Sequence, residues 1–234
     1  MNSGMHDERF YRRLWQCLHG GRTFQAILTN RHKSGHHIYC EATISPVMGQ
    51  TGKPTNFIAV YRDVTNRVRE EQELRIQATR DELTALLNRR AGQTQLQRAY
   101  FSSREGGRPL CVALIDVDHF KSVNDRWGHA QGDNVLKAVA RILSEGCRAT
   151  DSVVRWGGEE FMVVLPYTNL AAALAQAERL RARVQLCDTG VAGAVTISIG
   201  VAELGSDANL DALIECADKA LYRAKAAGRN RVMV

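Results

Sequence analysis

The sequence predicts an α/β (α+β) fold in two parts: a small antiparallel sheet, then a linker helix and a larger domain whose helices flank a central sheet. Three observations carry this reading. From Asp81 onward, apolar strand-like runs alternate with helical patterns of roughly 15 residues or more. Before that, three runs rich in β-branched and aromatic residues are separated only by turn residues. Between the two parts lies a stretch dominated by Glu, Arg and Gln.

Residues 10–18 are amphipathic and read as a first helix. Strands follow at 23–30, 37–44 and 57–64, joined by Lys33-Ser34-Gly35 and by a turn running from Gly49 to Pro54. Gly52-Lys53-Pro54 lacks the Ser or Thr of a phosphate-binding loop and is a turn. Thr65–Thr79 has only Val68, Leu74, Ile76 and Ala78 as apolar positions, which predicts a polar linker helix with an imperfect stripe. In the larger part, strands are predicted at Leu110–Val117, 161–165 and 195–202. Helices at 90–102, 132–145, 170–187 and 210–227 each carry an apolar face that should cover the sheet.

The chain has 234 residues, 44% hydrophobic and 24% charged, a soluble globular composition with room for two domains. No apolar run approaches a membrane span, and the polar start, residues 1–10, lacks the core of a secretion signal, so a cytoplasmic location is expected. Six scattered cysteines without a C-x-x-C pair read as reduced thiols. Residues 1–80 hold 12 Lys/Arg against 7 Asp/Glu, whereas residues 81–234 hold 19 against 18. The larger part is nearly neutral, and no dense basic run with interleaved aromatics supports nucleic-acid binding. His32, His36, His37 and Cys40 are potential zinc ligands, but strand alternation would send His36 and His37 to opposite faces.

Two elements carry chemistry. The first is the end of the strand Leu110–Val117, where Asp116 and Asp118 fall on one side of the pleat, one or both poised for a cation. A short helix then starts, whose free amides and Lys121 suit phosphate oxygens. Asp118 reads first as the N-cap of that helix; capping explains Asp116 less well. The second element is Arg155-Trp156-Gly157-Gly158-Glu159-Glu160-Phe161, a sterically bare turn between strands followed at once by two carboxylates. Adjacent acids repel unless a cation sits between them, and hard oxygen donors favour Mg²⁺ or Mn²⁺.

With these residues in place, the chain from about Asp81 to Val234 resembles the GGDEF family of diguanylate cyclases, with Gly-Gly-Glu-Glu-Phe as the signature variant. The run from Asp81 to Arg90, the segment from Asp116 to Asp133 and the run from Leu221 to Asn230 also match. The resemblance implies a palm-like nucleotide-cyclase domain at residues 80–234 that joins two GTP into cyclic di-GMP. It also implies catalytic and metal-binding roles for Asp116, Glu159 and Glu160, with the Val117 carbonyl as a further metal ligand. Asn124 and Asp133 would read guanine. Phe120, Lys121, Gly157, Gly158, Lys225 and Arg229 would complete the substrate site, with Lys225 and Arg229 four apart on one face of the last helix. Arg148-Ala149-Thr150-Asp151 stands where the family carries its product-inhibition motif, so Arg148, Asp151 and Arg179 would bind cyclic di-GMP. Trp156 and Ala85 depart from the family's usual residues, Ala85 standing where glycine is frequent.

Residues 1–64 look like the C-terminal half of a PAS sensor domain, expected to be less stable than the cyclase part. Because one family active site holds one GTP, the resemblance implies a homodimer, with residues 65–79 able to pair as a short coiled coil. The competing reading is a silent module that binds GTP or cyclic di-GMP without turnover; the intact acids at Asp116, Glu159 and Glu160 disfavour it.

Overall fold

The computed structural model describes residues 4–190, 193–206 and 208–234; the first three residues of the polar start lie outside the described residues. The chain divides into two compact units, Met1–Ile76 and Gln77–Val234, each with its own core.

In the first unit, helix α1 (Glu8–His19) is capped by Asp7, whose side chain accepts from the Phe10 amide at 2.8 Å. Strands β1 (Phe24–Arg31), β2 (His37–Met48) and β3 (Pro54–Asp63) form an antiparallel meander in the order β1-β2-β3. Leu14, Leu18, Phe24 and Ile44 form its core cluster, and Cys40, Ala42 and Val64 are buried as well. Almost all of β3 is exposed. His36 falls in the turn before β2 rather than in the strand, so alternation does not separate it from His37. Its ring stacks on that of His32 at 4.6 Å, and both Nδ1 atoms meet the Ser34 hydroxyl. Helix α2 (Thr65–Thr79) begins where the Asp63 carboxylate accepts from the Thr65 amide, and its apolar Leu74 and Ile76 are exposed.

The second unit is a five-stranded sheet in the order β5-β6-β4-β7-β8. These strands are β4 (Leu110–Val117), β5 (Ser152–Arg155), β6 (Glu160–Pro166), β7 (Ile197–Glu203) and β8 (Val232–Met233). All neighbours are antiparallel except β7 and β8. Central β4 is buried along its whole length, which is why it reads as an unbroken apolar run. Alternation sends Leu110, Val112 and Leu114 to a core shared with α3 (Arg89–Gly106) and α7 (Leu210–Ala226). Cys111, Ala113, Ile115 and Val117 face α5 (His129–Gly146) and α6 (Leu170–Gln185). The short α4 (Phe120–Trp127) leads into α5 through Gly128, which takes φ +80°.

Two details of packing position the site. At Gly200 on β7, a Cβ would lie 2.2 Å from the Ala217 carbonyl oxygen and the Leu221 amide, so only glycine lets α7 sit this close to the sheet. Also, α7 ends at Ala226, and the chain passes Gly228 at φ +111° before pairing as β8. Strand β8 is too short and too polar in its surroundings to be legible as a strand in the sequence.

Candidate active site

The register of the sheet assembles the acids. Asp116, at the carboxyl end of β4, lies directly opposite Glu160 on β6 and opposite Ser198 on β7. Directly opposed side chains share a face. The Val117 amide donates to the Glu159 carbonyl at 3.3 Å, which holds the second glutamate beside the same strand end. Asp116 is only 6% exposed. Burial pushes its carboxyl above the usual range, against the pull of Lys225, whose Nζ lies 2.7 Å from Oδ2. Burial also pushes Glu159 up, and the charge on Asp116 adds to that. Two acids with raised carboxyls at the edge of a buried sheet, Glu159 raised further by the charge of Asp116, fit a divalent cation, and the ammonium of Lys225 already brings positive charge there. Among the described residues no three His, Cys, Asp or Glu side chains are grouped closely enough to hold a metal ion.

The glycine turn joins β5 to β6. The amides of Trp156 and Gly157 both donate to the Glu160 carbonyl, at 2.8 and 3.1 Å. A Cβ on Gly157 would stand 2.5 Å from Oε2 of Glu160, whereas Gly158 has open space where a Cβ would go. Thus the first glycine makes room for the acid and the second leaves the outer surface bare. Arg155 fastens the turn from behind: its Nε and Nη2 donate to the Gly158 carbonyl at 3.2 and 2.7 Å, and its Nη1 reaches both oxygens of Asp81 at 3.0 and 3.1 Å. Sequence reasoning quoted Arg155 and Asp81 within their motifs but assigned neither a role. The two acquire one only because β5 carries the end of the turn back to the start of the unit. Trp156 provides a face for the guanidinium of Arg89, 4.8 Å from the ring centroid.

The remaining expected substrate residues fall around this edge. Phe120 is buried at the start of α4, and Lys121 beside it is exposed. Asn124 lies over Gly132, whose missing side chain is what admits it: a Cβ there would be 1.9 Å from Oδ1. That Oδ1 is buried without a hydrogen-bond partner, which leaves an unsatisfied acceptor next to exposed Asp133. Two expectations need correction. Lys225 and Arg229 do not share a helix face, since α7 ends between them and Arg229 adopts φ 60°; its charge nevertheless acts on Asp116. Nor does Asp118 cap α4. The N-cap position is His119, without a side-chain bond, and Asp118 accepts instead from Thr196, Ser198 and the Asn230 amide.

The Arg148–Asp151 segment is a closed turn at the other end of β5, just before Ser152. The Asp151 amide donates to the Arg148 carbonyl, and Oδ2 of Asp151 accepts from the Arg148 amide at 2.9 Å and from Gln176 at 3.1 Å. A cavity of about 420 Å³ adjoins it, lined among others by Arg80, Gln95, Arg148 and Asp151. Arg179 is exposed on α6, one turn beyond Gln176. Arg80 and Gln176 were not singled out in the sequence, because single residues with no motif gave no signal.

The second unit is thus an α/β domain whose central, mostly antiparallel sheet carries acids at one strand end and a bare glycine turn beside them. The chain belongs to the GGDEF family: the family model described as diguanylate cyclase, GGDEF domain, matches residues 78–231, and a PAS fold model matches residues 5–61. The diguanylate cyclase DgcM of Escherichia coli is 40% identical over 176 residues, covering 75% of this chain and 43% of that protein. The response regulator PleD of Caulobacter vibrioides is 45% identical over 162 residues, covering 67% of this chain and 36% of the relative. This chain therefore spans less than half the length of these relatives. Among solved structures, the GGDEF domain of DgcB from Caulobacter crescentus in complex with c-di-GMP matches with a TM-score of 0.65 at 38% identity, over 67% of this chain and 95% of that one. The active GGEEF domain of a diguanylate cyclase from Vibrio cholerae matches with a TM-score of 0.61 at 33% identity, over 63% of this chain and 96% of that one. Among the described residues no helix is long and apolar enough to cross a membrane.

Proposed function

We propose that this chain is a diguanylate cyclase that condenses two GTP into cyclic di-GMP and releases two pyrophosphates. The observation that carries the proposal is the placement of Asp116 opposite Glu160 across β4 and β6, beside a turn kept bare by Gly157 and Gly158. Asp116, Glu159, Glu160 and the Val117 carbonyl would hold Mg²⁺ or Mn²⁺, which when bound makes the α-phosphorus more electrophilic and offsets the triphosphate charge. The protein's own residues do the rest. Lys225 leaves Asp116 for the β- and γ-phosphates, joined there by Arg229 and Lys121. Asp133 accepts from guanine N1–H and the exocyclic amine, and the side-chain amide of Asn124 donates to the base's acceptors on the opposite side. Phe120, buried beneath Gly132, keeps that base site in place. A carboxylate of the glutamate pair takes the proton of the attacking 3′-hydroxyl.

Since each site presents one nucleotide, turnover needs two subunits face to face, and α2 pairing with its copy would raise their effective concentration. Product binding at Arg148, Asp151 and Arg179 restrains the enzyme. The test is incubation of the purified chain with GTP and Mg²⁺, with separation of the nucleotides. Cyclic di-GMP and two equivalents of pyrophosphate are expected, with loss of both in Asp116→Asn and Glu160→Gln. A folded wild-type chain that binds GTP at concentrations where it dimerises, yet forms no product, contradicts the proposal.

A further inference from the structure

Asp118 has no part in the chemistry above, and its surroundings are uncommon for a buried carboxylate. It is 5% exposed, and among the described residues no lysine or arginine is ion-paired with it. Buried carboxylates are normally matched by a cation or by several donors. Asp118 takes the second route. Oδ1 accepts from the Ser198 hydroxyl at 2.6 Å, and Oδ2 from the Thr196 hydroxyl at 2.7 Å and from the Asn230 amide at 3.0 Å. Two of these donors are on or next to β7; the third belongs to the loop that follows α7.

That loop is strained. After Gly228 at φ +111°, Arg229 and Asn230 both take left-handed backbone, at φ 60° and 46°. Consecutive non-glycine residues in this region persist only where the surroundings impose them. The Asn230 residue is gripped at both ends, its amide by Asp118 and its side-chain oxygen by Nη1 of Arg181 at 2.6 Å. Arg181 is itself held in place by Glu178 and Gln185 on α6. The residue thus immobilised immediately follows Arg229, whose charge bears on Asp116.

We infer that Asp118 and Arg181 are positioning residues for GTP: by clamping Asn230 from its two ends they hold Arg229 in the left-handed conformation that aims it at the triphosphate. This rests on the proposed role of Arg229 as a phosphate ligand, and it explains why a buried acid two residues beyond Asp116 is spent on hydroxyls and one amide rather than on the site. Neither residue touches substrate. Their contribution therefore belongs to nucleotide affinity rather than to the chemical step.

The test uses the full chain and a GTP analogue with a non-hydrolysable α,β bridge, with affinity read by calorimetry and KM and kcat for GTP read from pyrophosphate release. Arg229→Ala sets the scale. Arg181→Met and Asp118→Ala should each weaken analogue binding and raise KM by roughly 3- to 10-fold, the range for one lost hydrogen bond, with kcat within about twofold. Arg181→Met added to Arg229→Ala should weaken binding no further than Arg229→Ala alone, since the clamp then has nothing to aim. Asp118→Asn should keep most of the affinity, because its amide oxygen can still accept from the Asn230 amide while its NH₂ donates to the Ser198 hydroxyl, which is free to rotate. If Arg229→Ala weakens binding and Arg181→Met does not, the clamp is wrong and the phosphate reading stands. If Arg229→Ala leaves affinity unchanged, both fall. Should Asp118→Ala not fold, Arg181→Met decides alone.

Discussion

The ammonium of Lys225 stands 2.7 Å from Oδ2 of Asp116, so the buried acid at the end of β4 carries a counter-charge supplied by the protein itself. Helix α7 can bring the lysine there because Gly200 lets it sit against β7 without a Cβ in the way. Replacing Lys225 with Met removes the ion-pair partner of buried Asp116 and leaves only the more distant charge of Arg229, which should cost roughly 1–3 kcal/mol in metal-free buffer. Divalent cation should restore it. The expected result is a melting temperature that rises more steeply with Mn²⁺ in Lys225→Met than in the wild type; equal responses would show that the lysine does not stand in for a cation.

Arg155 ties Asp81 to the glycine turn, and this pair should govern stability at acid pH. Burial pushes the Asp81 carboxyl up, but the hydroxyl and amide of Thr84 and the guanidinium of Arg155 together bring it below its usual value of 3.8. A depressed folded-state value means that the contribution is fully present above pH 3.8 and is lost as the pH falls through the lower folded value. Arg155→Met should lose about 2 kcal/mol near neutrality and lose stability less steeply on acidification. Urea unfolding across pH checks this, and parallel curves for the two proteins would rule it out.

Ala85 adopts φ 57°, a left-handed conformation that a residue with a Cβ rarely takes. The turn is imposed by its own hydrogen bonds, the Ala85 amide donating to the Asp81 carbonyl and Arg80 donating to the Ala85 carbonyl. Ala85→Gly should therefore stabilise the second unit by up to about 1 kcal/mol, relief of strain exceeding the added entropy of the unfolded chain. A lower urea midpoint in the variant would contradict that.

At the turn beside the cavity, Asp151 is already engaged by the Arg148 amide and Gln176, while the Arg148 side chain is exposed. Arg148→Ala should raise the inhibition constant for cyclic di-GMP at least about tenfold, as expected for a charge-assisted contact, with little change in melting temperature. An unchanged constant removes the inhibitory site from this turn.

The core cluster of the first unit is only four buried residues, whereas Phe57, Ile58, Val60 and Tyr61 on β3 are exposed. Limited trypsin digestion should cleave it well before residues 77–234, leaving a protected C-terminal fragment. Equal resistance of both units is the outcome against it.

Much of this molecule was legible in the sequence where one kind of interaction dominates. Strand Leu110–Val117 and helix Thr65–Thr79 were placed to the residue, because an unbroken apolar run and an uninterrupted polar helical stretch each allow a single reading. The acids and glycines of the candidate site stand out because charged residues and glycines at such close spacing are uncommon beside buried strands. Asp118 was misread because capping is a local rule, and its true partners, Thr196, Ser198 and Asn230, lie about 80 and 112 residues away. Lys225 and Arg229 were put on one helix because nothing nearby announces that α7 ends at Ala226.

By itself, then, the sequence determined the family, the division into a small antiparallel part and an α/β part, and the set of side chains available to the candidate site. Tertiary structure alone decided which of them meet. Asp116 faces Glu160 through strand register, Lys225 reaches Asp116 through the missing Cβ of Gly200, and Arg229 is aimed by a strained loop fastened to β7 and α6. The reason is physical: residue type and local spacing carry propensity and chemistry, but which distant groups come within hydrogen-bonding reach is set by how the sheet and helices pack.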